Sequence, residues 1–237
     1  MKLVPKFIVS SFSQGDWYHL DECRSTQLLF KNILEHGRLE QDHTQIFAIS
    51  CNMQTSGIGR GQHTWDHQEG GVALSVLLPH LNIPTLGPLH MANMICDFIK
   101  ETFQKDYLNI GLKWPNDLYR AEKKFGGIVA HNLGHQCLYG IGINLFQKSN
   151  FGFLFINEDT VLNAKNFIQN LLKYLSLNWE NEQFSQEKWL NRCVHFNKKV
   201  RLTYQNCNDV IGVFTGLGKN GECLIDDTPY VAGSLFI

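Results

Sequence analysis

The sequence predicts an α+β protein, a mixed and largely antiparallel sheet carrying helices, followed by a small C-terminal β-barrel. Three observations lead there. Strand-type and helix-type periodicities are interleaved up to residue 195. Several strand-type segments are joined by turns too short for a crossover, so the strands they link run antiparallel. After residue 195 the helical spacing stops, and short strands separated by hairpin turns take over. With 237 residues the chain has room for one sizeable domain, 1–195, and a small one, 196–237.

Trp17-Tyr18-His19-Leu20 reads as a short strand. Ser25 and Thr26 are N-cap candidates for a helix through Leu28, Leu29, Ile33 and Leu34, and Gly37 ends it. Ile46 to Ile49 reads as a buried strand, and Gly70 to Pro79 as a central one. His90 to Phe103 carries Met91, Met94, Ile95, Phe98 and Ile99 on one helical stripe. Leu108 to Trp114 alternates as a half-buried strand does, and Pro115 stops it because proline cannot donate to a ladder. Glu122, Lys123 and Lys124 form a charged turn before a return strand that starts at Gly126-Gly127-Ile128-Val129. Leu133-Gly134 marks another hairpin turn, ahead of the strand Cys137 to Leu145. Val161 to Leu175 and Phe184 to Val194 read as helices. The helices are expected on one face of the sheet. The terminal strands are 200–204, 210–214, 222–225 and 234–237, with turns at Asn208-Asp209 and Lys219-Asn220-Gly221.

Composition excludes several classes. A 43% hydrophobic and 12% aromatic content fills a core and is unlike disorder. A net charge of −1 supplies no field for nucleic acid. No stretch is apolar for long enough to span a bilayer. The seven cysteines include no Cys-x-x-Cys pair, which points to reduced thiols in a soluble cytoplasmic protein. His131 and His135 flank a hairpin turn instead of sharing a helix face, so zinc is not expected there.

Chemistry gathers in Lys113-Trp114-Pro115-Asn116-Asp117-Leu118-Tyr119 and the segment after it. Asn116 and Asp117 project from a strand end, a common position for ligand-binding groups. Between Gln54 and Trp65, glycines 57, 59 and 61 surround Arg60. This stretch reads as a mobile loop suited to anions, because backbone N–H groups can approach a ligand closely. It is not a Walker loop, since no Gly-Lys-Ser/Thr follows. Gly140 and Gly142 keep one strand face flat.

Lys-Trp-Pro-Asn-Asp, a lysine seven residues on, then Gly-Gly-Ile-Val, resembles the signature of biotin protein ligases. Ser25-Thr26, the Gln54–Trp65 loop and Gly140 to Asn144 follow in that family's order, so the resemblance covers nearly the whole chain. It resembles the short form, with no helix-turn-helix segment ahead of the catalytic region. The resemblance implies a class II synthetase-like biotin/lipoate ligase fold with an SH3-like C-terminal domain. It implies ATP and Mg²⁺ as cofactors, biotin as substrate and biotinyl-5′-AMP as intermediate. The implied partner is a biotin carboxyl carrier protein domain, as in acetyl-CoA carboxylase. No DNA or membrane partner is implied, and a homodimer is compatible with it.

Carried over by position, Ser25, Thr26, Gln54, Gly57, Lys124, Gly127 and Gly140 would hold biotin. Arg60, Trp65, Asn116, Asp117 and Asn144 would face the adenylate. Lys124, Arg60 and Asp117 would act in catalysis, with Asp117 also the Mg²⁺ ligand. Two departures concern the loop: Ile58 stands where an arginine is usual, and Gly61-Gln62-His63 replaces a more basic stretch. A lipoate-type acyl ligase and a non-catalytic biotin-binding homologue are the alternatives.

Overall fold

The computed structural model describes residues 8–12, 15–37, 46–103, 109–146, 152–155, 163–181, 183–204 and 208–236. In chain order its first elements are β1 (Ile8–Phe12), β2 (Gly15–Cys23), α1 (Thr26–Glu35), β3 (Ile46–Gln54), β4 (Gly57–Ile58), β5 (Thr64–Trp65), β6 (Val72–Pro79) and α2 (Gly87–Phe103). Next come β7 (Ile110–Lys113), β8 (Asp117–Arg120), β9 (Lys123–Asn132), β10 (Gln136–Ile143), α3 (Ala164–Asn178) and α4 (Gln186–Arg192). The chain closes with β11 (Lys199–Thr203), β12 (Val210–Leu217), β13 (Cys223–Ile225), β14 (Thr228–Tyr230) and β15 (Ser234–Phe236).

Eight strands form one sheet in the order β1-β2-β3-β6-β10-β9-β8-β7. Only β2 and β3 run parallel, and α1 is the crossover that this requires. Every other neighbouring pair is antiparallel. β10 lies in the interior of the sheet and all eight of its residues are buried, as its continuous apolar run and two glycines suggest.

Strand parity sorts the side chains into two cores. Val72, Leu74, Val76 and Leu78 of β6 join α2 and α3 in one cluster. Ala73 and Leu77, one residue out of phase, join Phe30 of α1, Phe47 and Ile49 in the other. Each large apolar side chain buried this way contributes ~1.5–3 kcal/mol. Helices therefore cover both faces of the sheet. The expectation of a single covered face fails because the β2–α1–β3 crossover must pass on the side opposite α2.

Several boundaries also differ from expectation. The strand at Trp17 runs from Gly15 to Cys23, and that at Ile46 extends to Gln54. α2 starts at Gly87, with Pro88 in its first turn, where a missing N–H costs nothing. Ala121 and Glu122, at φ +46° and +63°, form the β8–β9 turn alone, so Lys123 and Lys124 already belong to β9. β14 was not expected. Asp226 and Asp227, at φ +48° and +62°, make the turn ahead of it in the left-handed conformation that short polar side chains tolerate. Leu108, Val161, Leu162 and Ile237, which fell within expected segments, lie outside the described residues, as does Cys207.

The last five strands form an antiparallel sheet ordered β14-β13-β12-β11-β15, compatible with an SH3-like fold. A register shift between Phe214 and Gly216 bends β12, so it pairs with β11 at one end and β13 at the other. Val200, Leu202, Phe214, Leu217 and Leu235 share one core with α2, Trp114 and Trp189. Trp114 Nε1 donates to the Gly221 carbonyl at 2.9 Å. The small sheet is thus fixed against the hairpin that carries Asn116 and Asp117. No helix among the described residues is long and apolar enough to cross a membrane.

Candidate active site

The α1 N-terminus forms one end of the site. Ser25, extended at φ −157° and ψ 129°, caps the helix by accepting from the Leu28 N–H. The parallel register sets Cys23 beside Gln54, which brings the Gln54 amide to the helix start. Gln54 Oε1 accepts from the Thr26 N–H at 2.8 Å, satisfying one of the donors that a helix start leaves open. Behind them, Ser75 Oγ lies 2.9 Å from both Thr26 Oγ1 and Gln27 Oε1.

The β7–β8–β9 meander forms the other end. Asp117 sits opposite Lys113 on β7 and Gly127 on β9. The Trp114–Pro115 bond between β7 and β8 is cis. Asn116 Nδ2 donates to the Ile128 carbonyl at 2.6 Å, while the Ile128 N–H donates to the Asn116 carbonyl. Pairing runs Leu118 with Gly126, then Tyr119 with Lys124, so Phe125 is an extra residue in the ladder. This bulge sends Phe125 into the core, fully buried, and turns Lys124 onto the face shared by Asp117 and Tyr119. Lys124 Nζ lies 2.6 Å from Asp117 Oδ1.

Lys113 faces the same space. Its Nζ lies 3.3 Å from the Tyr119 hydroxyl and 5.3 Å from the centres of the Tyr119 and Phe236 rings. Burial pulls the Lys113 pKa down, and Asp117 opposes that shift. Lys113 belongs to the signature, and no role for it is expected from the sequence. The parity of β7 was the available signal, since Lys113 is out of phase with buried Leu112 and Trp114.

Gly57–Trp65, expected as a loop without structure, is a β4–β5 hairpin pairing Gly57 with Trp65 and Ile58 with Thr64. Arg60 to His63 makes its tip, closed by Gly59 N–H to His63 O at 2.8 Å. Gly61 there has φ +63°. The Arg60 guanidinium donates to the Gly233 carbonyl and, at 3.4 Å, to Ser234 Oγ. Burial lowers its pKa, with Asp117 pulling the other way. Trp65 lies on Gly142, where an added Cβ would stand 2.4 Å from the indole. Lys124 Nζ is 5.9 Å from the Trp65 ring centre.

These pieces enclose a cavity of about 260 Å³. Its wall includes Ser25, Thr26, Gln54, Arg60, Trp65, Asn116, Asp117, Lys124, Gly127 and Gly140. Gly57 and Asn144 are not on the wall. Gly57 is needed for the hairpin instead, because a Cβ there would meet the Trp65 carbonyl oxygen at 2.5 Å. Asn144 braces the chain behind the site, donating Nδ2 to the Gly152 carbonyl at 3.1 Å. Lys113, His63, Ser234, Leu235 and Phe236 line the cavity without having been singled out as site residues. For the last three no local signal exists, because only the docking of the small sheet brings them there.

Residues 23–146, just over half of the chain, match the Biotin/lipoate A/B protein ligase family. The chain belongs to that family. Across this ligase-family chain, a biotin protein ligase of Aquifex aeolicus, solved with biotin and ATP, superposes with a TM-score of 0.72 at 24% identity. That match covers 95% of this chain and 98% of the other. The biotin acetyl coenzyme A carboxylase synthetase of Helicobacter pylori gives 0.69 at 21% identity, covering 90% and 98%. At these identities the likeness establishes the fold, which is that of biotin protein ligases. The bifunctional ligase/repressor BirA of Escherichia coli is 25% identical over 148 residues, 53% of this chain. The ligase-family chain spans about half the length of that relative, 46%.

Proposed function

We propose that the protein is an ATP-dependent biotin–protein ligase. On this reading it converts biotin and ATP to biotinyl-5′-AMP and passes the biotinyl group to a lysine of a biotin carboxyl carrier protein domain. One observation carries the reading: a single cavity joins the hydroxyl and amide groups of Ser25, Thr26 and Gln54 to the Lys124–Asp117 pair. The first set suits a polar ring with donors and acceptors, and the second suits a reacting carboxylate and phosphate.

In the first step a biotin carboxylate oxygen attacks the α-phosphorus of ATP, and the bond to the pyrophosphate oxygen breaks. Negative charge accumulates around phosphorus, and the Lys124 ammonium is placed to stabilise it. The partly buried Arg60 guanidinium, tied to Gly233, closes the hairpin over the adenylate. In the second step the acceptor lysine amine attacks the carbonyl of the mixed anhydride and AMP leaves. Asp117 is the sole carboxylate on the described cavity wall, so it is the side chain best placed to receive the amine proton. One carboxylate together with substrate phosphates is also a ligand set that Mg²⁺ accepts. The ion would arrive with ATP and neutralise phosphate charge.

On this reading residues 1–195 form the catalytic unit, and 196–237 supply β15 to its wall. The six described cysteines are free thiols, in keeping with a cytoplasmic enzyme. Incubation with biotin, ATP and a purified carrier domain, read by intact-mass spectrometry, tests the proposal. One biotinyl group on one lysine is expected, and an unmodified carrier contradicts it.

A further inference from the structure

Two thiols of the chain touch. Cys23, at the end of β2, and Cys51, on β3, bring their sulfurs to 3.4 Å. Their surroundings differ. Cys51 is buried in the core that α1 covers, with Leu20, Phe30 and Ile49, whereas Cys23 sits partly exposed at the edge of that core. The Cys51 thiol draws the Cys23 thiol below its usual range, against burial and the nearby Glu22. The same contact, with burial, pushes Cys51 up. The thiolate of the pair is therefore Cys23, which is also the sulfur that a small oxidant can reach. Elsewhere burial pushes the Cys96, Cys193 and Cys223 thiols up to about 12 and raises Cys137 too. Cys23 is also tied to the site. It pairs with Gln54, its carbonyl accepts from the Thr55 N–H at 3.1 Å, and the Arg24 carbonyl accepts from the Ser56 N–H at 2.8 Å. The Ser25 cap of α1 follows two residues on.

We propose that Cys23 is a modification site for small peroxides, with Cys51 as its resolving thiol, and that the disulfide they form displaces the α1 N-terminus. The Cys23 thiolate attacks a peroxide oxygen; an S–O bond forms, the O–O bond breaks and hydroxide leaves. The Cys51 sulfur, giving up its proton, then attacks the Cys23 sulfur, and the S–O bond breaks to release water. Two electrons pass from the thiols to the peroxide. A disulfide spans about 2.05 Å, so the sulfurs must close by roughly 1.3 Å from where they stand. Cys51 is held on an interior strand, so the movement falls on Cys23 and carries the Ser25 cap and the Gln54 pairing with it. The effect on turnover rests on the ligase reading; the bond itself does not.

The test treats the full chain with hydrogen peroxide, blocks remaining thiols and maps peptides by mass spectrometry without reduction. A bond joining Cys23 to Cys51 is expected, and amide exchange at Thr55 and Ser56 should quicken. Biotin-dependent pyrophosphate release should fall about 10–100-fold, the scale of a 1 Å misplacement, and return with dithiothreitol. Cys23→Ser should keep its turnover through peroxide treatment. Cys51→Ser should stop at the Cys23 sulfenic acid, which dimedone labels; where that variant does not fold, Cys23→Ser carries the test. No Cys23–Cys51 bond, or a bond that leaves exchange and turnover as they were, overturns the inference and leaves the ligase reading intact. The bond and the quickened exchange in a chain that shows no biotin-dependent turnover even when reduced support the inference and overturn the ligase reading alone.

Discussion

Lys124 and Asp117 are paired at 2.6 Å because of a bulge, not because of their spacing in sequence. With regular pairing Lys124 would oppose Arg120 and point to the other face of β9. The extra residue, Phe125, restores its phase. One ladder irregularity therefore seats an apolar ring in the core and an ammonium in the cavity.

If that ammonium stabilises the adenylation transition state, Lys124→Ala should slow biotin-dependent pyrophosphate release by about 10²–10³, the loss typical of removing one charge-stabilising donor. Thermal unfolding should change little, since the pair is partly exposed and such pairs add little to stability. Pyrophosphate release at the wild-type rate would remove Lys124 from the chemistry.

Arg60 plays a different part. Its contacts run to Gly233 and Ser234, so it latches the hairpin to the small sheet. Arg60→Gly should still form biotinyl-AMP but release it sooner, and the freed adenylate acylates exposed lysines indiscriminately. Streptavidin blots should show biotin on bystander protein with this variant and none with Lys124→Ala. The same pattern in both variants would mean that the two roles are wrongly divided.

The hairpin should also respond to ligand. Its tip is exposed from Gly61 to Thr64 and the hairpin carries glycines at 57, 59 and 61, so the open state is favoured by entropy and closure must be driven by contacts. Amide exchange over residues 57–65 should slow when biotin and ATP are added. Exchange that stays the same at saturation would count against closure.

Acid should destabilise the fold through two buried imidazoles. Burial holds His195 down to about 3 and His90 down to about 4, and both His195 nitrogens lack hydrogen-bond partners among the described residues. In the unfolded chain these groups take protons near 6.5. As pH falls below that value the unfolded state binds more protons, so stability present above it is lost progressively toward the folded values. Each group adds a slope of up to ~1.4 kcal/mol per pH unit. His195→Phe should flatten the fall of Tm between pH 6.5 and 4; an equally steep fall would show that His195 does not contribute.

What the sequence reveals about this site follows from how local each feature is. The Ser25 cap, the turn at Pro115 and the Leu133-Gly134 hairpin depend on neighbouring residues, and all three are where the pattern put them. The phase of Lys124 depends on a bulge, and no residue in Lys123-Lys124-Phe125-Gly126 announces which one is extra. Gln27 reads as an ordinary first-turn residue until β6 and β10 bring Ser75 and the Leu138 carbonyl to it. Phe236, about as far from the motif as the chain allows, reaches the cavity only through a shared core. The β4–β5 ribbon was illegible because three glycines conceal a pairing made by Ile58 and Thr64.

Pyrophosphate release by the purified wild-type chain, measured with ATP and either biotin, lipoate or no acid, tests the central claim most directly. Release that requires biotin, with lipoate no better than the blank, is the predicted result. Release supported by lipoate and not by biotin, or no release with either acid, would contradict it.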